Sequence, residues 1–302
     1  MSDHGPRLSS YALLAGSMAL VGTYVALSRP LTAAVPVLAL AFLRFAIAAV
    51  AMLPWTRPAP GETALTKTEH RLLFVMSFFG NFLFSIFMLY GMSMTTATAA
   101  GVILATLPAV VALMSWLLLR ERLTGRVVVA IALAVGGIAL LQLARTDEVS
   151  MRPAAAPWVG NLLLLGAVAC EATYVIVAKR LAATRAPLRV SALVNLWGLA
   201  LIAPLGLWQL AGFELGTLGL PMWGLLVFYS LAASLFAVWM WVAGLKQVPA
   251  SRAGVFTVAL PLAATAVGVL ILHEPFTPLH AAALTLATAG LVLVTLPRRT
   301  IR

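Results

Sequence analysis

The chain has 302 residues, of which 62% are hydrophobic and only 10% charged. Soluble domains carry about 25% charged and about 45–50% apolar residues, so this composition excludes a water-soluble fold and makes lipid the solvent. The net charge of +11 does not signal nucleic acid, because no basic run is long enough to track phosphates.

A helix needs about 20 apolar residues to cross the hydrocarbon. Ten windows meet this requirement, at approximately 10–28, 34–53, 72–90, 96–119, 127–144, 158–178, 190–210, 222–243, 253–272 and 279–296. They are too long and too continuous for the alternation of a membrane barrel. The polar start, MSDHGPRLSS, runs into apolar sequence without a small-x-small cleavage site. It reads as leading into a retained first helix rather than a removed signal peptide.

In chain order, the first window carries Tyr24, and the second carries Arg44 about halfway along. The third sets Phe78, Asn81 and Ser85 on one face by their three- and four-residue spacing. The fourth holds Pro108 near its middle and ends at Glu121, between Arg120 and Arg122; the fifth holds Gly136 and Gly137. ARTDEVSMRPAAAP, with its charges and two prolines, reads as an extracytoplasmic linker. The sixth window contains Cys170, Glu171 and Tyr174; a single cysteine excludes an internal disulfide and reads as a packing residue. Asn195 and Trp197 lie in the seventh window, and Ser230, Ser234 and Val238 share a face of the eighth. The ninth window carries Pro261 and ends at Glu274, and the tenth carries Gly290. Trp55, Trp158, Trp208 and Trp223 sit near window ends, as interfacial belts do.

The chain repeats itself. At an offset of 150, Gly16/Gly166, Ala19/Ala169, Thr23/Thr173, Tyr24/Tyr174 and Val25/Val175 are identical. At an offset of 153, Gly91/Gly244, Gly101/Gly254, Pro108/Pro261, Glu121/Glu274, Thr124/Thr277 and Gly137/Gly290 match. Each copy holds five windows. An odd number makes the second copy enter the membrane from the opposite side, giving an inverted pair. With the N-terminus in the cytoplasm, sixteen of the twenty Lys and Arg residues fall on the inner side and three on the outer. That bias places both termini inside. The expected fold is therefore an all-α integral membrane protein of ten transmembrane helices, with repeats at 1–145 and 158–302 and a linker at 146–157.

The segments AAGVILATLPAVVALMSWLLLRERLTG and SRAGVFTVALPLAATAVGVLILHEPFTP each have a Gly-containing helix start, a Leu-Pro, an apolar run, then Glu and a nearby Thr. A helix with Gly137 or Gly290 follows. This pattern resembles the drug/metabolite transporter superfamily, specifically its EamA-type ten-helix exporters, and overall the chain looks most like their bacterial aromatic-amino-acid exporter branch. The resemblance implies a monomeric secondary transporter of the bacterial inner membrane that exports amino acids or related metabolites by alternating access. It implies a central cavity between windows one to four and six to nine, braced by windows five and ten. A multidrug or amine exporter of the same fold is the alternative, and a passive channel a further one.

Several residues qualify for that cavity. Glu171 stands where the first copy has Val21. A mid-membrane carboxyl costs roughly 2.5–3.5 kcal/mol and so faces water or a partner. It would bind a substrate ammonium, exchange a proton in a coupled cycle, or serve structure through a hydrogen bond or a pair with Arg44. Arg44 would clamp a substrate carboxylate, or snorkel or pair with an acid. Tyr24, Phe78, Asn81, Ser85, Tyr174, Asn195, Trp197, Ser230 and Ser234 would supply aromatic walls with few polar groups, suited to an aromatic or bulky neutral solute. Each also has a packing or belt reading. Pro108 and Pro261 are expected to kink their helices as paired gates or static bends. Glu121 and Glu274 are expected to anchor the turns beside them, and Gly136, Gly137 and Gly290 to let helices approach closely. No Walker-type loop, GxSxG elbow or histidine cluster occurs (His4, His70, His273 and His280 are scattered), so no enzyme, metal or cofactor is expected.

Overall fold

The computed structural model describes residues 8–27, 31, 34–58, 62–94, 103–104, 106–144, 157–270 and 277–295. All regular structure among them is helical. In lipid the backbone must bond within its own segment, so long apolar runs become helices. The helices are α1 (Leu8–Leu27), α2 (Val37–Thr56), α3 (Lys67–Ser77), α4 (Phe84–Met94), α5 (Leu107–Leu119) and α6 (Gly125–Ala144). Then come α7 (Pro157–Thr184), α8 (Pro187–Leu210), α9 (Leu220–Leu231), α10 (Ala237–Leu245), α11 (Ala250–Ala253), α12 (Ala259–Leu270) and α13 (Pro278–Thr295). Five of the resulting stretches are long and apolar enough to cross a membrane: Val37–Thr56, Lys67–Met88, Trp158–Thr184, Pro187–Leu210 and Leu220–Leu245.

Local sequence sets several of these ends. Proline occupies the first turn of α5, α8 and α9, where its missing N–H costs nothing. Thr66 and Glu69 form a reciprocal capping box at the start of α3. Arg120 closes α5 in the left-handed conformation, with φ of 54°. That turn sends the chain back so that the amide of Glu121 bonds the carbonyl of Ser115.

Two interruptions fall at matched places. A π-helical turn, Phe78–Leu83, joins α3 to α4, and another, Ala232–Phe236, joins α9 to α10. The matched residues Asn81 and Ser234 sit inside them. Such turns are common at functional sites. Pro108 lies in the first turn of α5, and Pro261 in the first turn of α12 after a 3-10 stretch, Gly254–Val258. Pro108 is thus at a helix start, after a turn at Thr106, whereas Pro261 stays within a helical run over 250–270 and follows its change from 3-10 to α geometry. Two further prolines, Pro54 in α2 and Pro204 in α8, lie inside helices at the offset of 150.

The packing repeats in pairs. A methyl group on Gly137 of α6 would lie 2.8 Å from the Ala287 nitrogen and 3.0 Å from the Ala283 oxygen of α13. On Gly290 of α13 it would lie 2.9 Å from the Ala130 oxygen and 3.3 Å from the Ala134 nitrogen of α6. These two contact sets map onto each other at 153. A like pairing holds for α1 against α10 and α7 against α4, with α1 mapping onto α7 at 150 and α4 onto α10 at 153. Gly16 meets Met240 as Gly166 meets Phe87, and Gly244 meets Leu14 and Ser10 as Gly91 meets Leu164 and Gly160. On α2 and α8, Asn195 donates from Nδ2 to the carbonyl of its own counterpart, Phe45, at 3.0 Å. A pseudo-twofold relation accounts for every one of these pairs. Gly136 departs from expectation: a side chain there would meet nothing within 4 Å, so it faces away from the close approach.

The first described helix begins, and the last one ends, at the same end of the bundle. Ser10 bonds Gln247, Arg252 reaches the Tyr11 hydroxyl, Arg180 bonds the Leu118 carbonyl, and Arg126 bonds the Leu293 carbonyl. This basic end belongs to the largest buried cluster, which includes Tyr11, Leu14, Met76, Val111, Trp241 and Phe256. A second cluster, around Leu31, Val35, Leu218 and Leu226, ties α2 to α9 at the opposite end. There Gln209 of α8 accepts from the amides of Leu38 and Ala39, capping α2.

Candidate functional site

α2, α8 and the two π turns meet at the middle of the bundle. Arg44, Asn81, Asn195 and Ser234 converge there on one cavity, with Phe45, Ser191, Val194, Ala233 and Val238 completing its wall. The π turns aim Asn81 and Ser234 inward, and Gly198 of α8 leaves room for the Phe45 ring. Arg44 lies over that ring, its Cζ 4.2 Å from the centroid. The cavity volume is about 20 Å³, room for about one water.

Three buried polar atoms at this cavity have no hydrogen-bond partner among the described residues: Arg44 Nε, Asn195 Oδ1 and Ser234 Oγ. Asn195 is 2% and Ser234 4% exposed, so bulk water does not serve them. Such atoms cost about 1–3 kcal/mol each when left unmade. Arg44 does not pair with Glu171; the ion pairs among the described residues are Arg185 with Glu62 and Glu69, and Arg189 with Glu62.

The other expected residues divide. Tyr24 packs edge-on to Tyr229 at 5.4 Å and interacts electrostatically with Arg44 and Glu171. Tyr174 fits against Gly80 of the first π turn and also feels Glu171. Together these place Glu171 and the two tyrosines beside the Arg44 cavity rather than in its wall. Phe78 and Trp197 instead join through Phe74 in an aromatic cluster. Ser230 is fully buried and donates to the Leu226 carbonyl of its own helix, a packing role. The side chains of Ser85 and Pro261 lie outside the described residues, as do Glu274, His4 and His273. Cys170 is buried, as a packing residue would be. Ser191 lines the cavity unannounced; its place one turn before Asn195 is the sequence signal that would have found it.

Glu121 has a more specific role than the turn beside it. Its carboxylate accepts from the amides of Ala250 and Ser251 and from the hydroxyls of Ser251 and Ser115. It therefore caps the start of α11, in the other half of the chain, and fastens the end of α5 to it. Nearby, Arg185 bonds both oxygens of Glu69 at 2.6 Å and the carbonyls of Thr63 and Ala64, and Arg189 pairs with Glu62 at 2.7 Å. Lys179 caps the end of α10 through the carbonyls of Leu245 and Val248. The Glu121, Arg185 and Arg189 contacts tie the two halves together across the basic end.

Burial opposes the charged form of Glu121, but the hydrogen bonds from Ser115, the Ser251 and Ala250 amides and the Ser251 hydroxyl outweigh it and hold the carboxyl below its ordinary range. A depressed carboxyl stabilises the fold fully above its unfolded-state pKa, about 4.3, and loses that contribution as pH falls through the lower folded value. Glu121→Ala is therefore expected to cost about 1–2 kcal/mol near neutral pH, with the difference from wild type shrinking in acid. Thermal unfolding in detergent across that pH range measures it.

The sequence pattern of the EamA-like transporter family matches the chain twice, over residues 8–143 and 158–296. This chain belongs to the EamA-like transporter family. Its two matched stretches are the two sets of helices related by the paired contacts. The uncharacterised transporter YetK of Bacillus subtilis is 32% identical to this family member over 97% of the chain and 88% of its own length. The uncharacterised transporter YwfM of the same organism is 31% identical over 66% of the chain and 65% of its own length. A solved crystal structure superposes with a TM-score of 0.75 at 21% identity, covering 96% of this chain and 97% of the other, a likeness of fold. The family and the apolar helices make this EamA-like chain a multi-pass membrane protein and a transporter.

Proposed function

We propose that this EamA-like transporter exports amino acids, aromatic or neutral, or related small metabolites from the bacterial cytoplasm by alternating access. In this reading ten transmembrane helices form two inverted halves, both termini and the basic end are cytoplasmic, and the monomer is the working unit. The carrying observation is the set of unpartnered polar atoms of Arg44, Asn195 and Ser234 around one central cavity in an otherwise apolar bundle. Polar groups left unmatched inside a membrane protein point to a solute path or site, and these three share one cavity, unlike the buried Trp241 Nε1 of the core. The ties of Glu121 and Arg185 close the inner side, and the changes of backbone geometry ahead of Pro108 and Pro261 are the hinges that let it open.

One observation favours a second reading. Glu171 has no ion-pair partner among the described residues, which also suits a cationic amine or drug. Purified protein in liposomes, offered a panel of amino acids, amines and dyes at two pH values, separates the two. Saturable amino-acid flux supports the first; amine or dye flux alone supports the second.

A further inference from the structure

We infer that the Arg44 cavity is an α-amino-carboxylate subsite. The inference rests on the proposed transport of amino acids and names the part of the substrate that is read.

The unpartnered atoms differ in kind. Arg44 Nε is a donor, Asn195 Oδ1 is an acceptor, and the Ser234 hydroxyl is either. Arg44 and Asn195 line the same space without bonding each other. A ligand that satisfies both must bring an acceptor and a donor together over a few ångströms. A guanidinium is a fixed planar fork that matches a carboxylate with two parallel bonds. It is positively charged at mid-membrane, and no carboxylate among the described residues lies within ion-pairing distance of it. Glu171, which also acts on Tyr24, lies beyond that distance, so a carboxylate in direct contact with the guanidinium arrives with the ligand. An orphan amide oxygen in turn asks for an N–H, which a simple carboxylate, phosphate or halide lacks. The carboxylate and ammonium of an α-amino acid satisfy both.

The surrounding structure holds the two groups in place. Phe45 supports the guanidinium from one side, and Asn195 is oriented by its Nδ2 bond to the Phe45 carbonyl, which leaves Oδ1 facing the cavity. The room present, about 20 Å³, holds neither group of a substrate beside a water. Binding of a whole substrate therefore requires more room than the cavity now offers. The side chain of the substrate would extend toward the aromatic residues Tyr24 and Tyr229.

The test uses proteoliposomes with labelled phenylalanine, competed by phenylalaninamide, phenethylamine, 3-phenylpropionate and phenylphosphonate. Binding of phenylalanine to detergent-solubilised protein is followed in parallel by thermal shift. For wild type, each competitor should be at least about tenfold weaker than unlabelled phenylalanine. Arg44→Gln should lose phenylalanine binding and flux at least about tenfold while its response to phenylalaninamide stays the same, and Arg44→Lys should fall between. If Arg44→Gln does not fold, Ser234→Ala is read for the same loss of discrimination. Equal handling of phenylalanine and its amide by wild type overturns the subsite and leaves amino-acid transport standing. So does full discrimination in Arg44→Gln, or 3-phenylpropionate or phenylphosphonate matching phenylalanine. Flux of phenethylamine without phenylalanine, or neither binding nor flux of any amino acid, overturns the transport reading and the subsite together.

Discussion

Leucine at Gly137 should destabilise this protein by about 3 kcal/mol or more, and leucine at Gly290 by the same amount. Overpacking a well-packed site costs about 1–3 kcal/mol and occasionally more. The upper end applies here because the atoms in the way are backbone: the nitrogen of Ala287 and the oxygen of Ala283 in one case, the oxygen of Ala130 and the nitrogen of Ala134 in the other. Backbone cannot swing aside as a side chain can, so α6 and α13 would have to part. Gly136, one residue earlier, faces nothing within 4 Å. Gly136→Leu should be neutral or stabilising, since glycine inside a helix costs about 0.5–1 kcal/mol relative to alanine. Thermal unfolding of the three purified variants decides the matter. Severe loss at Gly137 with none at Gly290 would contradict the twofold pairing of the contacts.

Glu171→Gln should lower transport at least about tenfold, the equivalent of one charged hydrogen bond at about 1.4 kcal/mol. The carboxyl lies in α7 near Tyr24 and Tyr174 and pairs with no cation among the described residues. Glutamine keeps its shape and removes its charge, so the fold should survive while transport falls. If Glu171 also exchanges the coupling proton, the dependence of transport on pH disappears in the same variant. Rates measured at two pH values for wild type and variant check both effects. An unchanged rate with an unchanged pH profile would remove Glu171 from the cycle.

Much of this architecture can be read from residue spacing because the membrane simplifies the rules. A helix there needs only length and apolarity, and the matched glycines betray close contacts since little else fits between two backbones. Gly137 and Gly290 were visible in that way. Gly136 was not separable from its neighbour, because the face it presents depends on where α13 lies. Glu121 repeats as Glu274 in the chain, which marks it as structural; its partners, Ala250 and Ser251, are in the other half and carry no complementary charge to announce them. The π turns are also illegible in advance, since FFGNFL and AASLF contain no residue that demands one extra peptide per turn. Yet those turns bring Asn81 and Ser234 to Arg44. Spacing on an ideal helix therefore grouped Ser230 with Ser234, whereas the structure gives the first to packing and the second to the cavity.

The arrangement as a whole stands or falls on movement of the two halves around a substrate. Liposomes containing the protein, preloaded with unlabelled phenylalanine and diluted into a trace of labelled phenylalanine, measure this directly. Alternating access gives counterflow: labelled substrate should rise transiently above its external concentration, with an initial rate that saturates. Labelled phenylalanine that only equilibrates, at a rate proportional to concentration and indifferent to preloading, would mean an open passage and contradict alternating access.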